Sequence, residues 1–183
     1  MEKKLTATQI KKELKNRSKD ELIELIYDLC KTSKEAVDKI NIRLGNDDFL
    51  DEELVEAKKR VRSHYFTTRG FAHLNLRSAK SVITTFKKIC NDQEKLLDLE
   101  LYYVECGIEF TNALGDINES FYNSMGGMYE TVTKTLTKIG DREMINRFIP
   151  RLEKAVDDTK GIGWGFGDWI TDSYYELKHF IGE

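Results

Sequence analysis

Nine lysines and arginines fall between Ala57 and Asn91 with no aspartate or glutamate among them, in a chain whose formal net charge is −3. Clustered cations do one kind of chemistry: they hold phosphates or carboxylates by charge-assisted hydrogen bonds. Arg77, Lys80, Thr84, Lys87 and Lys88 recur at helical spacing and would share one face of a helix, with Arg62 and Arg69 nearby. Tyr65, Phe66 and Phe71 interleave with these charges, and aromatic rings beside cations are how single-stranded nucleic acid is held without sequence preference. One feature opposes that use. Asp92 to Glu130 carries nine acids and one lysine, so a neighbouring helix offers carboxylates that would neutralise the cations from within.

Other chemistries are poorly supplied. Glu105 and Glu109 lie at i and i+4, half of a carboxylate metal site, but a di-iron helical protein also needs two Glu-x-x-His pairs on facing helices, and the sequence lacks two. His64, His73 and His179 share no ligand spacing, and Cys30, Cys90 and Cys106 form neither a C-x-x-C pair nor a disulfide framework, so they are expected to be reduced thiols. G-x-S-x-G, G-x-x-x-x-G-K-[ST] and H-E-x-x-H are all missing. "KGIGWGFGDWI" has glycines at 161, 163, 165 and 167, but phosphate binding by such a loop needs a strand entering it, and none precedes Gly161. The loop is expected to pin the last helix through Trp164 and Phe166, or to offer Trp164 to a partner. No catalytic residue, metal or cofactor is assigned.

The elements that must position these groups are helices. Apolar residues recur at three and four almost throughout, and proline occurs once, at Pro150, where a helix bends or restarts. Ser18 and Glu21 have capping-box spacing, and Thr32 and Glu35 repeat it. Polar breaks at Asp47, Asp92 and Asp141 open three longer helix pairs at steps of 92 − 47 = 45 and 141 − 92 = 49 residues, near the roughly 40 to 47 of HEAT-type repeats. "KLLDLELYYVECGIEFTNAL" is apolar around most of its circumference and reads as the central helix, while Gly126 and Gly127 mark a kink or a close helix crossing in the next. The expected fold is all-α: eight or nine helices in antiparallel pairs, as HEAT-like αα stacking or a helical bundle. A single domain over 1–183 is expected, with a three-helix segment at 1–45 and three longer pairs over 46–183.

A chain of 183 residues, 40% hydrophobic and 33% charged, buries a real core. No run reaches the length of a membrane span and the first residues hold no apolar core of a secretion signal, so a cytoplasmic protein is expected. "LTATQIKKELKNRSKDELIELIYDLCKTSKEAVDKINIRL", the basic "AKKRVRSHYF", "LRSAKSVITTFKK" and "DLELYYVECGIEFT" together resemble a family of small uncharacterised all-α bacterial proteins defined as a domain of unknown function. That resemblance implies a soluble helical protein and names no functional residue. The expected function is a non-catalytic binding or scaffold module for a macromolecular partner, protein in preference to nucleic acid and without a membrane, with a homo-oligomer also open. The alternative is sequence-tolerant nucleic-acid or phosphate binding through the basic 58–88 segment.

Overall fold

The structure, a computed structural model, describes residues 4–45, 47–71 and 73–182. Among them nine helices account for nearly all regular structure: α1 (Ala7–Leu14), α2 (Lys19–Thr32), α3 (Lys34–Arg43), α4 (Asp47–Ser63), α5 (Leu76–Ile89), α6 (Gln93–Leu114), α7 (Glu119–Ile139), α8 (Arg142–Asp158) and α9 (Phe166–Ile181). The exception is a two-stranded hairpin between α4 and α5, β1 (Phe66–Thr67) and β2 (Gly70–Phe71), too short to leave an alternation in the sequence. By its contacts the chain divides into two compact units, Met1–Asn46 and Asp47–Glu183.

In the first unit the helix starts are written locally. Thr6 with Gln9, and Ser18 with Glu21, both form complete capping boxes, each side chain satisfying the other residue's orphan backbone N–H. The third cap is displaced from its expected place: Ser33, not Thr32, accepts the Ala36 N–H at 3.2 Å. Thr32 belongs to α2, where its hydroxyl donates back to the Leu29 carbonyl, because helical backbone leaves a threonine side chain no forward N–H to accept. Neither α1 nor α2 contains a buried residue.

The second unit is a bundle-like packing of α4 to α9 around α6. Asp92 and Asp141 are N-caps, each accepting two backbone N–H groups of the helix it opens, so these two polar breaks are helix starts in fact. Helix α6 packs against α4, α5, α7 and α8 and buries Leu97, Leu99, Leu101, Tyr103, Val104 and Ile108 almost completely, as a helix apolar around most of its circumference must. Helix α8 runs through Pro150 without restarting.

The most extensive helix contact is α7 with α9, and Gly126 explains it. A Cβ at Gly126 would lie 2.4 Å from the Trp169 ring, whereas one at Gly127 would lie 3.9 Å from it in ordinary contact. The glycine pair therefore serves a close crossing in which only Gly126 is needed. Gly126→Val is expected to destabilise by roughly 2–3 kcal/mol through overpacking, and Gly127→Ala to stabilise by about 0.5–1 kcal/mol through helix propensity; urea midpoints of the two variants check both signs.

Candidate functional site

The nine cations of the opening segment separate by helix. All four on α4 are paired: Lys58 with Asp98 at 2.6 Å, Lys59 with Glu56, Arg60 with Glu53, and Arg62 with Glu109. The last is a two-pronged fork, both guanidinium nitrogens donating at 2.7 Å. It holds the Glu109 carboxyl below its ordinary range and the Arg62 guanidinium above its own. Helix α8 supplies matching cations from the other side: Arg147 forks onto Glu94 with two bonds of 2.7 Å, and Arg151 reaches both Asp98 and Glu105. Glu94, Asp98, Glu105 and Glu109 are spaced 4, 7 and 4 apart, which puts them on one stripe of α6. The acid stripe of α6 is thus gripped between cations of α4 and of α8.

The α5 cations are left out of this arrangement. Arg77, Lys80, Lys87 and Lys88 carry no ion pair among the described residues, and neither does Arg69 in the hairpin turn. Helix α5 turns Ala79, Ile83, Phe86 and Ile89 to the core and exposes Arg77, Thr84, Lys87 and Lys88, with no acid anywhere along its length. Lys80 is half-buried, its ammonium 6.0 Å from the Tyr103 ring centroid. Lys87 and Lys88, in the last turn, also complement the negative end of the helix dipole, a structural role that needs no ligand. Thr84 donates its hydroxyl to the Lys80 carbonyl at 3.0 Å, so it is not free to donate to an anion while that bond holds.

The aromatic candidates fare unevenly. Tyr65 is fully buried, packed edge-on against Tyr103 and Phe110, and so drops out of any external contact surface. Phe66 lies under Arg62, whose guanidinium sits 4.5 Å from its ring centroid. Phe71 alone of the three is exposed, and it stands edge-on upon buried Phe110 at 5.7 Å, which fixes its orientation. A shallow concavity of about 730 Å³ opens between α4 and the hairpin, lined by Lys59, Arg62, Phe66, Thr68 and Phe71.

Beside it a second cleft, of about 720 Å³, lies between α6 and α8, and the Arg62–Glu109 fork stands between the two. Its polar walls are already paired: Arg151 with Glu105, Lys154 with Asp158, and Glu109 with Arg62. Burial pushes the Cys106 thiol up to about 11, which keeps it protonated and unreactive at neutral pH. The chain's one Glu-x-x-His spacing, Glu176 to His179 on α9, is exposed, and no group of three or more metal-ligating side chains occurs among the described residues. No helix among them is long and apolar enough to cross a membrane.

The glycine-rich loop divides its two aromatic residues. Phe166 is buried and anchors α9, while Trp164 is 59% exposed. Trp164 has φ 62 and Gly165 φ 66, and the Phe166 N–H bonds back to the Gly163 carbonyl, so the two residues form the centre of a type I′ turn. Such a turn favours Gly, Asn or Asp at its first central position, and tryptophan there costs about 1–2 kcal/mol. Its indole N–H donates to both oxygens of Asp116 at 2.9 Å, and Asp116 in turn accepts from buried Tyr122. These donors hold the Asp116 carboxyl below its ordinary range. A strained backbone thus presents a large ring face to the outside, a feature that nothing in the spacing of the glycines revealed.

One buried acid is a liability. Glu100 on α6 is 7% exposed, and burial raises its carboxyl above the usual 4.5 although Lys87 opposes the shift. A group whose folded pKa is raised contributes stability below its unfolded pKa and loses it as pH rises through the folded one, so the buried Glu100 carboxyl costs the fold stability above the ordinary carboxylate range. Glu100→Gln is therefore expected to raise the thermal midpoint at pH 7, with the gain vanishing below about pH 4, as a pH series of melts on both proteins would read. Trp164→Asn relieves the turn at the cost of one exposed hydrogen bond and is expected to leave stability equal or higher by up to ~1 kcal/mol; a fall of more than that in urea would mean the indole is structural.

No family model matches the chain, and no curated protein and no solved structure matches it.

Proposed function

We propose that the chain is a non-catalytic binding module that docks an acidic protein surface on the outer face of α5. The observation that carries this is the split among the nine cations. Those on α4 are all paired, Lys58 and Arg62 with the α6 stripe and Lys59 and Arg60 with acids of α4 itself, while Arg77, Lys80, Lys87 and Lys88 carry no ion pair among the described residues, Lys87 being the one that acts on buried Glu100, on a helix that has no acid of its own. Arg77 and Lys88 are eleven residues apart and so fall almost in line, giving a row of positive charge along the helix. Charge complementarity of this kind orients and speeds encounter. Three free cysteines support a reducing, cytosolic setting.

Nucleic acid is the second reading, and exposed Phe71 beside unpaired Arg69 is what favours it. It is the weaker one because Tyr65 is buried and Phe66 is covered, which leaves a single stacking platform where a strand needs several.

Fluorescence anisotropy with labelled polyglutamate, single-stranded RNA and duplex DNA separates them. The acidic peptide is expected to bind at low salt and to lose about tenfold in affinity in Arg77→Glu/Lys88→Glu, two exposed positions whose reversal leaves the Lys87–Glu100 balance alone. No peptide binding at low salt would remove the α5 face from consideration. RNA binding that persists near physiological salt and fails in Phe71→Ala would transfer the function to nucleic acid.

A further inference from the structure

The last helix carries the complement of the α5 row. Asp168, Asp172 and Glu176 on α9 are four residues apart and exposed, on the side turned away from Ile170, Tyr174, Leu177 and Ile181, which α9 buries. That outward direction is set within the larger unit, by the packing of α9 on α7 and α8. None of the three acids carries an ion pair among the described residues. Two cations stand close by, and both are taken up. Lys134 of α7, on which Glu176 acts, closes on Glu130 at 2.6 Å, and Lys160, beside Tyr175, closes on Asp157 at 2.6 Å. The helix's own cations, Lys178 and His179, come only in its last turn. Among the acids stands Tyr175, 61% exposed and held edge-on against Tyr174 at 5.5 Å. An exposed, oriented tyrosine ringed by charge is the kind of residue that anchors an interface.

The α5 face has the shape to receive it. Between Arg77 and Lys88 its outer side carries only the small residues Ser81, Thr84 and Thr85, all exposed. Thr84 and Thr85 donate their hydroxyls to carbonyls of their own helix, so a ring can lie over them without stripping a donor of its partner. We propose that α5 of one copy docks on α9 of another, an inference that rests on the reading of α5 as the face for an acidic protein and names that protein as a second copy of this chain. Laid antiparallel, the helices set Lys88 beside Asp168 and Arg77 beside Glu176, with Tyr175 over the small residues between. The basic row spans about 16 Å and the acidic one about 12 Å, a difference that the reach of an arginine or lysine covers. Helix α5 packs on α4 and α6, and α9 on α7 and α8, so the two rows belong to different flanks of the larger unit. Each contact therefore uses one row of each copy and leaves the other open, and the copies join head to tail. One helix face against another falls short of the ~800 Å² per partner of a stable interface, so the association is weak and salt-sensitive.

Sedimentation equilibrium of the full chain at low salt, from about ten to several hundred micromolar, tests this. The weight-average mass of the wild type is expected to rise with concentration through and beyond two chains. Arg77→Glu/Lys88→Glu and Asp172→Lys/Glu176→Lys change exposed positions, and each variant alone is expected to keep the single-chain mass, because its two rows then have the same sign. An equimolar mixture of the two variants is expected to associate again, since each supplies the row that the other has reversed. A single-chain mass for the wild type at every concentration overturns the proposal. So does either variant associating alone as the wild type does, or a mixture that stays at the single-chain mass. A mass that halts at two chains overturns the head-to-tail order. If the wild type stays single but still binds labelled polyglutamate through Arg77 and Lys88, only the second copy is lost as partner; if it does neither, the reading of the α5 face falls with it.

Discussion

Everything in the larger unit is referred to the acid stripe of α6. Four carboxylates on the central helix could not be left without cations, and the fold answers by placing α4 on one side and α8 on the other, each with arginine or lysine at matching height. Asp98 is the fulcrum, since Lys58 of α4 and Arg151 of α8 both close on it. Partly buried pairs of this kind add little net stability, because desolvation offsets much of the attraction. What they set is register: a helix sliding by one turn would break every fork at once, whereas apolar ridges alone would tolerate the slip.

This constraint also explains how the basic segment comes to have two fates. Lys58 and Arg62 are close in sequence to Lys80 and Lys87, with the same charge and similar reach. Only the α4 pair close on the stripe; α5 buries Ala79, Ile83 and Phe86, exposes Lys87 and Lys88, and sets half-buried Lys80 beside the Tyr103 ring. The acidic composition of the whole chain is therefore misleading about its surface. Much of the negative charge in the 92–130 segment is consumed internally, and the positive charge of α5 is not.

Patterns local to one helix could be read from the sequence. The amphipathic division of α5, the central position of α6, the Ser18–Glu21 box and the helix starts at Asp92 and Asp141 each depend on residues within about a turn of one another. What depended on distant partners could not. The assignment of Arg62 to Glu109 spans 47 residues, and no spacing predicts it. Tyr65 looked available because it sits among charges, yet the turn after α4 directs it inward against Phe110 and Tyr103. Gly126 announced a crossing, but its partner, Trp169, was invisible until α9 was seen to lie there. Trp164 could be read as a ring offered to a partner, but the left-handed turn that carries it and its hydrogen bond to Asp116, 48 residues away, could not.

The notch at Gly126 has a temporal meaning as well. Helices α4 to α8 can emerge and pair in order, but α7 finds its largest neighbour only in α9, one helix beyond its nearest in sequence. Until Trp169 has left the ribosome and seated itself, the groove along α7 stays open and the apolar face beside it stays wet. The unit is consequently not a ladder that hardens rung by rung during synthesis; its last helix is the latch, and a nascent chain held short of it would be a client for chaperones.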